Sequence, residues 1–361
     1  MSSWRARRGL SLDALAARLD WSASGLEDLE AGRDWVDRRG RLAALADALR
    51  LDPTDLTGQP YAPVGLEHGT VRAVAVQMRH ILGESATTLD EAENSAGETL
   101  ESQVAEALDA QLEGDEGRLA LILPTLIRTA DRAVVANTGT SLERSAELRM
   151  QSHVLAAGLL RRLGYRDLAW VLLHRARPGL DEPRAVLLEE ARLLLDLGMP
   201  HYALARTARA RASADDIEVS VLEACAAAVA GQDAEARRIL QNAGRAVGDG
   251  EQAAALASAG VIIAVEGGRA QWAAERIGDI DQDRLRPAAR AGLLLAGAAA
   301  TARIGDGNAS VRLLLRAEAD APMRVRLDPA ARDLLAVLPS HAADSRVAAQ
   351  ARELAERVGV L

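Results

Sequence analysis

The stretch "LDALAARLDWSASGLEDLEAGRDW", residues 12–35, holds two short amphipathic segments separated by a tight polar turn. Ser11 stands just before the first segment and Ser22 just before the second, each placed to accept a backbone N–H from the opening turn of a helix. Leu15 and Leu19 share one face of the first, and Leu26 and Leu29 one face of the second. Gly32 follows as a helix stop. On either side, the patterned segments are about 4–8, 11–19, 22–30, 40–49 and 53–57, the last opened by Asp52 before Pro53. Leu15, Leu19, Leu26, Leu29, Leu42, Leu45, Leu49 and Leu56 are expected to meet as one small core.

Beyond this head, "TGQPYAPVGLEHG" (57–69) has the proline and glycine content of a linker. A helix is expected near 70–82, followed by a flexible polar loop, "GESATTLDEAENSAGE" (83–98). From about residue 99 a repeat emerges. In "GYRDLA", "GMPHYA", "GQDAEA" and "GRAQWA", Gly164, Gly198, Gly231 and Gly268 each precede an alanine by five residues, and "GDGNAS" is a weaker copy at Gly305 and Ser310. The steps between these glycines are 34, 33, 37 and 37 residues. Small residues recur seven positions earlier (Ala157, Ala191, Ala224, Val261, Ala298) and twelve later (Ala176, Ala210, Ala243, Ile280, Ala317). Such spacing fits a helical hairpin per unit: glycine ends the first helix, and small side chains stand where helices approach most closely. An ordinary helical bundle is the alternative.

Composition agrees with an all-α chain. Of 361 residues, 49% are hydrophobic and 2% aromatic, with no Phe, so alanine and leucine dominate the core. All 43 basic residues are arginine, and the net charge of −9 excludes bulk attraction to DNA or an anionic membrane. Nucleic-acid contact therefore requires a local patch. The single cysteine, Cys225, leaves no internal disulfide and reads as a buried, inert thiol. The opening residues lack an apolar signal core and the longest apolar runs are too short for a membrane span, so a cytoplasmic protein without membrane contact is expected. Six scattered histidines give no metal or nucleophile spacing, and "DIDQDR" (279–284) and "GDGNAS" read as acidic turns. No catalytic group, metal or cofactor is nominated, and the chain is not expected to be an enzyme.

Gly9-Leu10-Ser11, Leu15-Ala16, Leu19, Ser22, Leu26, Glu30 with Gly32, and the tail "LAALADALRLDPTDL" resemble the Xre/Cro type of helix-turn-helix. The body, over about 99–320, resembles the tetratricopeptide repeat, although the aromatic residues of that repeat are mostly Leu and Ala here. The combination is similar to bacterial transcription regulators with an N-terminal reader and a C-terminal superhelix of hairpins. The resemblance implies a division into a helix-turn-helix domain (1–58), a linker segment (59–98), repeats (99–327) and capping helices (328–361). It also implies double-stranded operator DNA and a second copy of the chain as partners, and a peptide or small-molecule effector.

By that resemblance Ser22, Ala23, Ser24 and Gly25 face the major groove at the start of the reading helix, while Arg33, Arg38 and Arg39, with Arg5 on the flank, meet phosphates. Glu30 is expected as a structural residue. Asp20 stands where the family has a turn glycine, and Leu12 where it has glutamine. Glu27 and Asp28 add negative charge beside the reading face, and residues 1–57 carry nine Arg against ten Asp plus Glu. The groove positions transferred by register include Gln151, Arg161, Arg162, Arg192, Leu195, Asp196, Cys225, Glu266 and Arg303. Such a groove suits a peptide backbone or carboxylate, or its arginines are solvated helix surface. The rival function is a protein-interaction adaptor whose head no longer reads DNA, and a third class is an enzyme-associated scaffold.

Overall fold

Helix boundaries follow the capping residues. In the computed structural model, which describes residues 1–84, 99–177, 182–211, 216–245, 247–248, 250–341 and 344–361, the head forms α1 (Ser2–Arg7), α2 (Leu12–Leu19), α3 (Ala23–Glu30), α4 (Arg39–Leu49) and α5 (Pro53–Thr57). The Ser11 hydroxyl accepts the Ala14 N–H at 3.1 Å and the Ser22 hydroxyl the Gly25 N–H at 3.1 Å. Asp52 and Asp55 close a capping box around Pro53. Leu15, Leu26, Leu45 and Leu49 are buried together with Ala16, and Leu19, Leu29 and Leu56 pack against them. Trp4 and Trp21 join this cluster, whereas Leu42, expected there, is half-buried outside it.

All described residues are helical or irregular, with twenty-one α-helices and no strand among them. Contacts gather the chain into two compact units, one of residues 1–59 with 194–361 and one of 60–193, so the units do not follow the linear order of the segments. Residues 60–193 hold α6 (Gly65–Gly83), α7 (Leu100–Glu113), α8 (Glu116–Ala136), α9 (Gly139–Arg162), α10 (Arg166–Ala176) and most of α11 (Arg184–Asp196). Helix α6 starts five residues earlier than the 70–82 pattern suggests, because the His68 ring accepts the Val64 N–H at 3.3 Å and closes the first turn. The polar loop expected over 83–98 lies, from residue 85, outside the described residues. Here α8 packs on α6, α7 and α9, and α9 on α10.

The other unit adds to the head α12 (Pro200–Ala210), α13 (Ile217–Val229), α14 (Asp233–Gly244), α15 (Glu251–Glu266), α16 (Ala270–Arg276), α17 (Pro287–Arg303) and α18 (Gly307–Asp320). It ends with α19 (Pro322–Leu327), α20 (Pro329–His341) and α21 (Ser345–Val358). Helices pair as hairpins, α13 with α14, α15 with α16 and α17 with α18, and successive first helices pack on one another. The segment 279–284 lies between and within two 3₁₀ turns, and Asp306 of "GDGNAS" caps α18 by accepting the Ala309 N–H at 2.8 Å.

The repeat spacing has a direct physical basis. The five glycines at 164, 198, 231, 268 and 305 all lie at φ between 74° and 89°, the left-handed conformation that reverses the chain after a helix. Ala169, Ala203, Ala236, Ala273 and Ser310, five residues on, are each 0% exposed, as are Ala157, Ala191, Ala224 and Ala298. These are helix crossings where no larger side chain fits. Ala236→Leu is therefore expected to lower stability by about 1–3 kcal/mol in urea unfolding through overpacking, while Leu at the exposed Ala234 two residues earlier leaves the midpoint nearly unchanged.

Candidate nucleic-acid interface and the docked loop

The reading surface is built by the turn between α2 and α3. Asp20 takes φ 54° and ψ 40°, a left-handed conformation that its short polar side chain tolerates better than most, and so makes the turn for which a glycine was expected. Gly25 is tight for a different reason, since a Cβ there would stand 2.9 Å from the capping Ser22 Oγ. Ser22 and Ser24 are exposed, Ala23 and Gly25 half-buried, and Leu26 anchors α3 in the head core. The unpaired amides and positive dipole end of α3 thus open to solvent, an arrangement that favours anionic oxygens. Glu27 and Asp28 follow on the same helix, but Arg33 reaches back to Asp28 at 2.7 Å and to Glu27 at 3.7 Å. These pairs are solvent-exposed, so they neutralise charge locally and add little stability.

The other expected phosphate ligands have partners. Arg5 makes a bidentate pair with Glu30 at 2.7 and 2.8 Å and also donates to the Leu10 carbonyl, joining α1 to the end of α3. Hydrogen bonds from Arg5 hold the Glu30 carboxyl below the usual carboxylate range, which gives Glu30 its structural role. Arg8 donates to the carbonyls of Leu49 and Arg50 at the end of α4, and Arg7 lies over the Trp4 ring.

Arg38 and Arg39 belong to a loop that docks into the hairpins. Trp35 is 7% exposed and sits in a cluster with Leu294, Ala298, Val311, Leu314, Leu334 and Leu338 of α17, α18 and α20. The Arg303 guanidinium stacks 4.0 Å from the centroid of that indole, donates to the Trp35 carbonyl, and pairs with Asp34 at 2.9 Å and Asp37 at 3.0 Å. Val36 N–H donates to Asp333 at 3.1 Å. Arg39 places its Nε 2.6 Å and its backbone N–H 2.9 Å from the Glu266 carboxylate, with Asp196 at 3.6 Å. Glu266 holds the Arg39 guanidinium protonated well above its ordinary value. A Cβ at Gly268 would overlap Arg38, a Cβ at Gly40 would lie 2.9 Å from the Val229 carbonyl, and one at Gly198 2.7 Å from the Ala43 Cβ. Gln59 adds a hydrogen bond to the Leu327 carbonyl at 3.2 Å. Three residues expected to line an effector groove, Asp196, Glu266 and Arg303, therefore grip the chain's own loop. Cys225 is buried beside them, and burial pushes its thiol up to about 11.

The remaining groove residues divide. Arg161, Arg162 and Arg192 converge on α11 and α8: Arg161 pairs with Glu189 at 2.7 Å, Arg192 with Glu189 at 3.3 Å, and Arg162 with Glu116 at 3.3 Å. Burial alone would push the Glu189 carboxyl up, yet the arginines hold it below the usual range. Gly158 leaves room for this group, as a Cβ there would be 3.3 Å from the Glu189 Oε1. Gln151 hydrogen-bonds Glu147 at 3.3 Å, and Leu195 is buried. Sequence reasoning missed Trp35, Asp34, Asp37 and Asp333. The available signal was the apolar pair Trp35-Val36 in an otherwise polar loop, followed by Gly40 within the first turn of a helix.

Residues 3–57 match a family model described as a helix-turn-helix domain. No curated protein matches the chain. The head is accordingly a helix-turn-helix domain, and no helix among the described residues is long and apolar enough to cross a membrane.

Removing the anchoring indole leaves a cavity among aliphatic side chains, so Trp35→Ala is expected to cost about 3–5 kcal/mol of stability in urea unfolding. The Cys225 thiol, protonated and covered, is expected to react with iodoacetamide at pH 8 far more slowly in the native chain than after denaturation.

Proposed function

We propose that the chain is a DNA-binding transcriptional regulator in which the N-terminal end of α3 enters the major groove of an operator. The observation that carries this reading is the exposure of Ser22 and Ser24 at an open helix N-terminus, with the flanking Glu27 and Asp28 answered by Arg33. Short side chains there permit close backbone approach, and affinity then rests on phosphate contacts rather than bidentate base readout. One head covers one half-site, so a homodimer reading two half-sites follows, with the hairpin body pairing the chains and sensing a peptide or small ligand. The carboxylate of such an effector is placed beside Arg161, Arg162 and Arg192, where it would compete with Glu116 and Glu189. We assign the chain no catalytic activity. The rival, an adaptor with a head that does not read DNA, draws support from the engagement of Arg38 and Arg39 inside the protein.

Retention of genomic duplex fragments across a salt titration tests the reading. The wild-type chain is expected to retain a selected subset of fragments with an affinity that falls steeply as salt rises. The change Ser24→Glu, at an exposed position that leaves the Ser22 cap and the head core intact, is expected to abolish retention. Equal retention by the variant, or no selection at any salt, sinks the DNA reading in favour of the adaptor.

A further inference from the structure

Helix α4 has eleven residues, and its N-terminus carries Arg38 at the cap and Arg39 in the first turn, with no side-chain cap of its own. An anion already sits there. The Glu266 carboxylate accepts the Arg39 backbone N–H at 2.9 Å with one oxygen and the Arg39 Nε at 2.6 Å with the other. This is the pairing a DNA phosphate would adopt at a helix N-terminus flanked by arginine, with two oxygens of one anion answered by an amide and a guanidinium. Arg38, meanwhile, lies against Gly268, two residues beyond Glu266. Of the four arginines expected at phosphates, Arg5 and Arg33 are paired inside the head, whereas Arg39 is paired by residues outside it and Arg38 lies against Gly268.

We propose that Glu266 is an internal phosphate mimic, holding the helix-turn-helix head in a restrained state by occupying the α4 N-terminus and Arg39 in place of a DNA phosphate. This rests on the reading of the head as DNA-binding. Opening the contact returns Arg38 and Arg39 to the outside, where neither has a partner in the head. Asp37, released at the same time, keeps Arg41 at 3.2 Å, and Asp34 still accepts the Trp35 N–H at 2.8 Å. The opened head therefore presents Arg38 and Arg39 together at a freed α4 N-terminus, with its overall charge unchanged. Loss of Glu266 leaves Arg39 with Asp196 alone at 3.6 Å and takes the acceptor from its backbone N–H, which weakens docking and favours opening.

The test compares the full-length wild-type chain with Glu266→Gln and, by a separate route that keeps the carboxylate, Arg303→Ala, using the retained genomic duplex as the probe. Circular dichroism checks the helical content of each, and Cys225 alkylation reports opening. Both folded variants are expected to bind duplex about tenfold tighter at moderate salt, with a salt slope steeper by about one to two, and to alkylate faster at Cys225. Adding Arg39→Ala to Glu266→Gln should remove the gain. The inference is overturned if faster alkylation comes without tighter binding, if the gain persists in the double variant, or if Cys225 stays protected in folded variants. Wild-type binding with no gain in Glu266→Gln overturns the mimicry alone, whereas absence of duplex binding by every chain at low salt removes the DNA reading and the mimicry with it.

Discussion

A six-residue loop, Asp34 to Arg39, ties the helix-turn-helix head to hairpins more than two hundred residues away in sequence, and the arrangement of this unit depends on it. The contact combines two kinds of physics. Trp35 contributes burial, since its indole replaces water against the leucines and alanines of α17, α18 and α20. The charges contribute specificity. Arg303 answers Asp34 and Asp37, Glu266 answers Arg39, and Asp333 accepts a backbone N–H, so the loop's charged groups find partners of the correct sign. Glycines at 40, 198 and 268 let the two backbones approach closely. The result is a small domain held by its own loop, with the opposite function, an exposed α3 terminus, left to solvent.

The hairpin body solves the problem of a core almost without aromatic residues. With alanine at the crossings, helices approach closely and leucines fill the spaces between them. Regularity of glycine and alanine spacing is the trace of that packing. The unit of residues 60–193 adds a different device, a charge group in which Arg161, Arg192 and Arg162 hold the buried Glu189 ionised.

Much of this was legible in the sequence because it rests on local rules. Ser11, Ser22, Asp52 and Pro53 mark helix starts through hydrogen bonds within three residues, and Asp20 marks a turn through its own backbone conformation. The crossings at Ala157, Ala169, Ala236 and Ala298 recur at a fixed period, so repetition made a tertiary property visible. The docked loop follows no such rule. Arg39 and Glu266 are 227 residues apart, and nothing in the neighbourhood of either distinguishes an arginine for phosphate from an arginine for carboxylate, because the chemistry is the same. For the same reason Arg303 looked like a ligand-facing residue: its ligand is the head.

Native-state hydrogen exchange bears most directly on the claim that the head and its hairpins form one body. Amides of Leu45 to Leu49 in α4 and of Leu293 to Ala300 in α17 should exchange through a common opening, with one free energy and one denaturant slope. Exchange of the α4 amides at a distinctly lower free energy, while α17 stays protected, would contradict the account, since a head that opens alone is not held by Trp35 and Glu266.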